Sequence, residues 1–271
     1  MQTPPLLTDN SALARNRRRA TAFFLHELAA DEVHQRLTEV NRTFTAAKVI
    51  TPFPHLWSNM LSCAPGDTLD LQPGTLDLVV HGLSLHWAND PVGQMVQSLR
   101  ALHPDGLFIA VMLGGQTLHE LRAALAQAEV EVSGGLSPRV LPMGEIRDLG
   151  ALLQRAGFAL PVADCFAKTV LYRDLFHLMQ DLRAMGEGNA LAARLRRPTS
   201  RAVFAKAAAI YRHRFGEPDG RIRATFEFIV LTGWAPDKSQ PKPLRPGSAT
   251  SSLAAALGAP EMSLPRDTSD S

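Results

Sequence analysis

In the middle of the chain, hydrophobic patterns typical of strands alternate with hydrophobic patterns typical of helices. Short, mainly apolar runs at 76–80 and 107–112 are typical of strands buried on both faces of a sheet. Between them, Asp90 and Pro91 supply an N-cap and a proline at the first helical position. Apolar residues then recur at helical spacing: Val92, Met95, Val96, Leu99 and Leu102. Strands and helices that alternate in this way predict βαβ units with right-handed crossovers and a mostly parallel sheet.

Further elements are predicted on both sides of this region. Helical patterns run from Ser11 to Val40 and over 146–156, 173–185 and 199–214. Thr117 and Glu120 have the spacing of a capping box that opens another helix. Strand-like runs lie at 158–166 and 224–232, and we expect the second of these at the edge of the sheet. The fold class is therefore α/β, with a mostly parallel sheet and helices on both faces.

The length of the chain predicts one large domain with additions. At roughly 150 residues per domain, 271 residues exceed one domain but do not reach two. We predict a helical lead over 1–43, an α/β domain over 44–236 with a helical insertion at about 173–215, and a proline-rich, partly disordered tail over 237–271.

Composition excludes several classes of function. No apolar run reaches the roughly 18–20 residues of a membrane span, and the first residues lack the apolar core of a signal peptide. A net charge of +2 argues against a dedicated nucleic-acid surface. Two cysteines, Cys63 and Cys165, are too few for a disulfide scaffold or a metal cage, so we expect two buried structural thiols. These features together favour a cytoplasmic protein without a metal site.

A run of arginines in the first predicted helix allows two interpretations. Arg15, Arg17, Arg18 and Arg19 could dock an anion. A run of like charges on a helix is more often a solvated face.

Candidate chemistry is concentrated directly after the strand at 76–80. His81, Gly82, Leu83 and Ser84 follow this strand, and ligands of open α/β sheets bind outside the carboxyl ends of strands. His86 and Trp87 come next and could present a ring nitrogen and an aromatic face to a ligand. They could equally fill the corner between strand and helix.

The same segment carries a resemblance to a known family. The "DLVV" strand, the SLHWANDP segment (84–91) and the "PDG" turn before the next strand resemble the class I S-adenosylmethionine-dependent methyltransferases. Longer segments resemble one branch more closely: GGQTLHELR (114–122), DLRAMGEGNA (181–190), LTGWAP (231–236) and RPGSAT (245–250). That branch contains malonyl-acyl-carrier O-methyltransferases and a mitochondrial complex I assembly factor described as an arginine hydroxylase.

The resemblance implies a cofactor and a set of site residues. S-adenosylmethionine is the implied cofactor, with Asp67, His81, Gly82, Leu83 and Trp87 as candidate binding residues. His81 or His86 is the candidate general base. Asp67 corresponds to an acidic residue on the adenine side of the cofactor, although an aspartate beside Gly66 also fits an ordinary turn.

The sequence departs from the family at the first strand. Family members carry a glycine-rich turn there, which lets the backbone approach the cofactor. Residues 45–57 contain no glycine and include Pro52 and Pro54. The span from Phe44 to Asp77 is also too short for two βαβ units of roughly 30 residues each. We expect a strand near 46–50, a short helix at about 55–62, an extended piece at 67–72, and loss of the second strand.

The resemblance leaves three functions open. The first is a methyltransferase-like protein that uses S-adenosylmethionine through an altered cofactor turn. The second is an assembly factor that acts on a respiratory complex I subunit, by arginine hydroxylation or as a non-catalytic chaperone. The third is a scaffold whose core serves only folding and interaction, because a fold does not dictate a function.

Overall fold

A computed structural model describes residues 6–57 and 60–241. Described residues up to Asp237 form one compact unit. A second unit begins at Lys238, and only residues 238–241 of it are described. The predicted tail thus lies outside the described residues from position 242 onward, and the division of the chain at 43 and 236 stays a prediction.

Six strands form one mixed sheet. They are β1 (Ala47–Ile50), β2 (Leu61–Cys63), β3 (Leu76–Gly82), β4 (Leu102–Leu113), β5 (Ala159–Tyr172) and β6 (Ile222–Trp234), in the order β2-β1-β3-β4-β6-β5. The pairs β1–β2, β1–β3 and β3–β4 are parallel, whereas β6 is antiparallel to both of its neighbours. The parallel pair β3–β4 is the part that the alternating pattern predicted.

Seven α-helices lie among the described residues. They are α1 (Asn10–Arg17), α2 (Phe24–Glu39), α3 (Pro91–Ala101), α4 (His119–Ser133), α5 (Ile146–Ala156), α6 (Leu175–Ala184) and α7 (Arg201–Phe215). Asp90 caps α3 by accepting a hydrogen bond from the Gly93 N–H, as predicted. None of the described helices is long and apolar enough to cross a membrane.

Alternate residues of the strands face two hydrophobic cores. Leu78 and Val80 of β3 belong to one core, together with apolar residues of α2, α4, α6 and α7. Val79 belongs to the other, together with residues of α3 and α5. Helices therefore cover both faces of the sheet, which confirms the predicted α/β class.

Two expectations about strands are wrong. The strand predicted at 224–232 does not lie at the edge, because β6 is inserted between β4 and β5. The second strand is also not lost: β2 has three residues and pairs in parallel with β1, in register from Lys48↔Leu61 to Ile50↔Cys63. Residues 54–56 form a single 3-10 turn instead of the longer helix expected there, and residues 67–72 lie outside the helices and strands.

The expected capping box at Thr117 does not form. Leu118 precedes α4 with a φ of 54°, and Thr117 Oγ1 donates to the Glu227 carbonyl of β6. The Glu120 carboxylate accepts from Thr225 Oγ1 at 2.6 Å. These polar groups bind the backbone and side chains of β6, which lies beside β4 in the sheet. They therefore attach the start of α4 to the sheet.

One of the two expected buried thiols is exposed. Cys63, at the end of β2, is buried, whereas Cys165 is exposed. Cys165 lies on β5, the edge strand, whose side chains are only partly covered.

Candidate functional site

The carboxyl ends of β1 and β3 separate at one point of the sheet. After β1 the chain forms β2 on one side and then crosses to the other side of β1 to form β3. Such a reversal of strand order leaves a crevice in which ligands of open α/β sheets bind. The segments that follow Ile50 and Gly82 therefore define the candidate site.

A cleft of about 500 Å³ opens at this point. Small-molecule sites usually have volumes of about 300–1,000 Å³. The walls come from α1, from the segments after the first three strands and from α3: Asn10, Leu13, Ala14, Arg17, Arg18, Pro52, Phe53, Ala64, Pro65, Gly66, Asp67, Ser84, Trp87, Ala88 and Gln94. Asp67 and Trp87, two of the predicted cofactor-binding residues, thus line one cleft. We refer to it as the switch cleft.

Aromatic side chains occupy the turn after β1, where family members have glycines. Phe53 is 6% exposed, and its ring packs edge-on against the rings of Phe23 and His26, with centroids 5.0 and 4.6 Å away. Pro52 and Pro54 have no N–H group. This turn therefore offers few backbone donors, and a ligand in the switch cleft must be held mainly by side chains.

Gly82, at the end of β3, is covered by Trp57. A Cβ atom built on Gly82 would lie 2.6 Å from Cζ2 of the indole. Both residues are buried, and Trp57 Nε1 has no hydrogen-bond partner among the described residues. The open side of Gly82 is thus filled by the protein itself, and Gly82 does not line the switch cleft.

A buried arginine forms part of the cleft wall. Arg17 ends α1, and its side chain is 7% exposed, whereas Arg15, Arg18 and Arg19 are exposed. Nε and Nη2 of Arg17 lack hydrogen-bond partners in the described part of the chain. Burial lowers the pKa of its guanidinium group, but arginine keeps its charge in proteins. The wall therefore contains a cation with two buried nitrogens that bind no acceptor among the described residues.

Glu187 is the counter-ion of this arginine. Its Oε1 lies 3.8 Å from Nη2 of Arg17, a distance too long for a hydrogen bond. Its Oε2 accepts a hydrogen bond of 2.6 Å from Nε1 of Trp87. Burial raises the pKa of the Glu187 carboxyl group, although the positive charge of Arg17 acts in the opposite direction and lowers it. Glu187 belongs to the GEGN segment (186–189), which begins two residues after the end of α6.

A second cavity of about 200 Å³ lies on the other side of Trp87. Its walls are mostly apolar, with a few polar side chains: Leu25, Trp87, Leu113, Thr117, Leu118, Leu121, Leu125, Arg139, Val140, Leu141, Met143, Met179, Leu182, Arg183, Glu187, Gly188, Asn189 and Phe226. Trp87 lines both spaces, Arg17 lines only the switch cleft, and Glu187 lines only the second cavity. The three side chains form a polar wall between them.

His81, a predicted base and cofactor ligand, is fully buried in the sheet. Its exposed fraction is 0%, and Nε2 lies 3.0 Å from Ser98 Oγ. Burial lowers its pKa to about 3, so the ring is neutral near pH 7. His81 lines neither the switch cleft nor the second cavity.

His86 and Leu83 are likewise buried beneath the cleft. His86 is 6% exposed, and neither ring nitrogen has a hydrogen-bond partner among the described residues. Burial, followed by the nearby charge of Arg17, lowers its pKa. Leu83 is 0% exposed and has a φ of 50°. Neither residue lines either space. Among residues 6–57 and 60–241, no group of three or more His, Cys, Asp or Glu side chains could hold a metal ion.

Sequence reasoning did not identify Arg17 or Glu187 as individual site residues. The arginine run and the GEGN sequence at 186–189 do not reveal which side chain is buried. Gln94 was also missed: its Nε2 donates to the Gly66 carbonyl at 2.7 Å, which fixes the loop that carries Asp67.

Comparisons with known proteins identify relatives of this chain by sequence. No protein-family model matches the chain. The zebrafish protein named "Arginine-hydroxylase NDUFAF5, mitochondrial" is 42% identical over 194 residues, which cover 70% of this chain and 59% of that protein. Its human counterpart is 43% identical over 193 residues, 70% of this chain and 55% of that protein.

A bacterial relative has a name that denotes methyl transfer. The malonyl-[acyl-carrier protein] O-methyltransferase of Laribacter hongkongensis is 36% identical over 176 residues, 65% of this chain and 57% of that protein. The chain spans about half the length of the curated relatives it matches. The resemblance seen in the sequence is thereby confirmed: this chain is a sequence relative of the NDUFAF5 proteins and of the malonyl-acyl-carrier O-methyltransferases.

Proposed function

We propose that this chain is a methyltransferase-like protein that binds S-adenosylmethionine in the switch cleft through side chains. The observation that carries the proposal is Arg17, which lines the switch cleft and whose buried guanidinium group has two nitrogens without hydrogen-bond partners among the described residues. Buried polar groups are nearly always hydrogen-bonded, so these nitrogens call for hydrogen-bond acceptors, which the 3.8 Å ion pair with Glu187 does not provide. A carboxylate of a ligand would provide both the charge and the acceptors.

The other polar side chains of the cleft suit the remainder of the same ligand. S-adenosylmethionine carries a carboxylate at one end and ribose hydroxyls and an adenine amine at the other. Arg17 and Arg18 would hold the carboxylate, and Asp67 would accept from hydroxyl or amine groups. The cleft volume of about 500 Å³ is adequate for a ligand of this size. The donor set therefore fits the cofactor, although Pro52 and Pro54 weaken the contribution of the backbone.

Chemistry in the switch cleft would depend on how the bound ligand is positioned. When bound, S-adenosylmethionine supplies an electrophilic methyl group. His81 and His86 are buried away from the cleft, so this chain's part is to orient the ligand and to exclude water.

Isothermal titration with S-adenosylmethionine and S-adenosylhomocysteine tests the proposal. We expect dissociation constants in the micromolar range for the intact chain. Arg17→Met should weaken binding about 10-fold or more, because a hydrogen bond to a charged group contributes about 1.5–3 kcal/mol. Arg19→Met, on the exposed side of the same run, is the matched control and should bind like the unmodified chain. Absence of binding by a folded chain at millimolar ligand would refute the proposal.

A second candidate function is supported by the sequence relatives. Proteins named as NDUFAF5 arginine hydroxylases match this chain at 42–45% identity, above the 33–36% of the malonyl-acyl-carrier O-methyltransferases. On this basis the chain would act on a subunit of respiratory complex I, by hydroxylating an arginine or as a chaperone. Hydroxylation would require an oxidant, such as molecular oxygen, together with two electrons from a reductant.

Deletion of the gene in its own host would separate these functions. If the chain acts on complex I, NADH:quinone activity of the membranes should fall, and mass spectrometry of the complex should reveal whether an arginine loses an added oxygen. Complementation with the Arg17→Met variant then tests whether the switch cleft takes part. Unchanged complex I in the deletion strain would exclude the second function.

A further inference from the structure

The polar wall holds an acceptor to which none of the described residues donates a hydrogen bond. Glu187 Oε1 is buried and has no hydrogen-bond partner among the described residues, while Oε2 is bound to Trp87. The side chain of Glu187 is 7% exposed and lines the second cavity. A buried carboxylate oxygen without a donor is costly, so this geometry favours a ligand that brings one.

We infer that the second cavity binds a cationic group on an aliphatic stem, such as the side chain of an arginine or lysine from a partner, and that Glu187 is its counter-ion. The inference deepens the proposed function, since the cavity would be the acceptor side of the same site. The apolar walls would bury the stem, while the charged head pairs with Oε1. A cavity of about 200 Å³ has room for one long side chain but not for a folded segment.

The other charges around the cavity do not oppose a cation strongly. Arg139 lines it too, but its charge is matched by Glu129, with Nη2 2.6 Å from Oε1 and Nε 3.2 Å from Oε2. Arg183 is exposed, so solvent screens its charge. Thr117 and Asn189 use their polar atoms in hydrogen bonds to Glu227, Pro138 and Leu191. Among the described lining residues, Glu187 therefore retains the one buried acceptor without a partner.

Occupation of the two spaces should be coupled through Arg17. Arg17 Nη2 lies 3.8 Å from Glu187 Oε1 and supplies the positive charge that now faces it. An anionic ligand in the switch cleft would draw on the same guanidinium group and leave Glu187 more negative toward the second cavity. Binding of an anion in the cleft and of a cation in the cavity should therefore reinforce each other.

Titration with small amides tests the cation site without any assumption about the cleft. The probes are N-acetyl-arginine methylamide, the matching lysine compound, and the citrulline compound as a neutral isostere of arginine. We expect the two cationic amides to bind at least about 10-fold more tightly than the citrulline amide. Glu187→Gln should remove this preference, and Glu131→Gln, an exposed glutamate paired with Lys206, should retain it. Equal binding of all three amides, or an unchanged preference in Glu187→Gln, would overturn the inference.

Arg17→Met distinguishes a cation site from a merely structural role of Glu187. If Glu187 only holds the fold, loss of Arg17 should weaken any binding. If it is a cation site, Arg17→Met should strengthen binding of the cationic amides several-fold, because the competing guanidinium group is gone. Saturating S-adenosylhomocysteine should strengthen it in the unmodified chain but not in Arg17→Met. In one further outcome, Glu187→Gln removes the preference for cationic amides but S-adenosylhomocysteine has no effect on their binding. That result would refute the coupling and count against ligand binding in the switch cleft, but it would still support the cation site.

Discussion

The indole of Trp87 donates a 2.6 Å hydrogen bond from Nε1 to Oε2 of Glu187, a residue 100 positions later in the chain. The bond joins the segment after β3 to the turn after α6. It is the one hydrogen bond that the carboxylate accepts within the described residues, since Oε1 has no partner. The wall between the two spaces therefore depends on this pair as well as on Arg17.

Trp87→Phe should destabilise the protein beyond the loss of packing. The phenyl ring fills most of the indole volume but cannot donate, so the buried carboxylate loses its hydrogen bond. We expect the free energy of unfolding to fall by about 1–3 kcal/mol, as for a buried polar group left unsatisfied. Urea unfolding followed by circular dichroism measures it. Trp234→Phe, at a half-buried tryptophan whose ring faces Arg42, is the control, and an equal loss in both variants would contradict the prediction.

The elements that surround this pair were predictable, but the pair itself was not. The strand at 76–80 and the helix after Asp90 and Pro91 follow from local patterns, since buried strands and capped helices have characteristic residues. Arg17 and Glu187 meet because α1 and the turn after α6 pack together, which no local pattern contains. For the same reason the sequence suggested that 224–232 is a strand but not that it lies between β4 and β5.

The candidate site was only partly predictable for a related reason. Asp67 and Trp87 line the cleft because the segments after the parallel strands meet at one end of the sheet. His81 and His86 follow the same strand but are buried, and position in sequence does not show whether a side chain faces a cleft or the core. The sequence shows that the turn after β1 lacks glycines, but only the structure shows that Trp57 fills the space beside Gly82.

Gly82→Ala should reveal how tightly Trp57 closes the end of β3. The added methyl group would lie 2.6 Å from Cζ2 of the indole, so the ring or the strand must shift. Overpacking of this kind costs about 1–3 kcal/mol of unfolding free energy. Gly66→Ala, where the nearest atom is 3.5 Å away, should cost less.

A double-mutant cycle checks this interpretation of Gly82. Trp57→Leu removes the ring, so Gly82→Ala in that background should be nearly neutral. Additive losses in the double variant would mean that the two residues do not interact in this way.

Arg139 should contribute far more to stability than an exposed arginine or lysine. Its guanidinium group binds Glu129, whose side chain is 6% exposed, and Nη1 also donates to Thr199 at 2.9 Å. Arg139→Met would leave a buried carboxylate with only its bonds to Ser137, and removal of one partner of a buried pair costs about 3–5 kcal/mol. Lys206→Met breaks the exposed pair with Glu131 and should cost much less, because solvent screens this pair. Similar unfolding free energies for both variants would refute this assignment.

The two cysteines should differ in reactivity toward a thiol reagent. Cys165 is exposed, and Cys63 is buried, where burial also raises the pKa of the thiol and reduces the fraction of reactive thiolate. Titration of the native protein with DTNB should show one fast thiol and one that reacts only after unfolding. Cys165→Ser should abolish the fast phase, whereas Cys63→Ala should preserve it. A fast phase that persists in Cys165→Ser would show that Cys63 is accessible.

The buried ring of His81 should make the protein sensitive to acid. Its pKa in the folded chain is about 3, whereas that of an unfolded histidine is about 6.5. Between these values the unfolded chain binds a proton that the folded chain does not, so stability is lost as the pH falls through this range. The slope from this residue is about 1.4 kcal/mol per pH unit.

In His81→Gln the unfolding free energy, measured in urea from pH 4 to 6, should depend on pH less steeply by that amount, because glutamine does not titrate. His103→Gln, at an exposed position, serves as the control and should keep the full slope. If His81→Gln and His103→Gln lose stability equally steeply with falling pH, His81 is not held neutral by its surroundings.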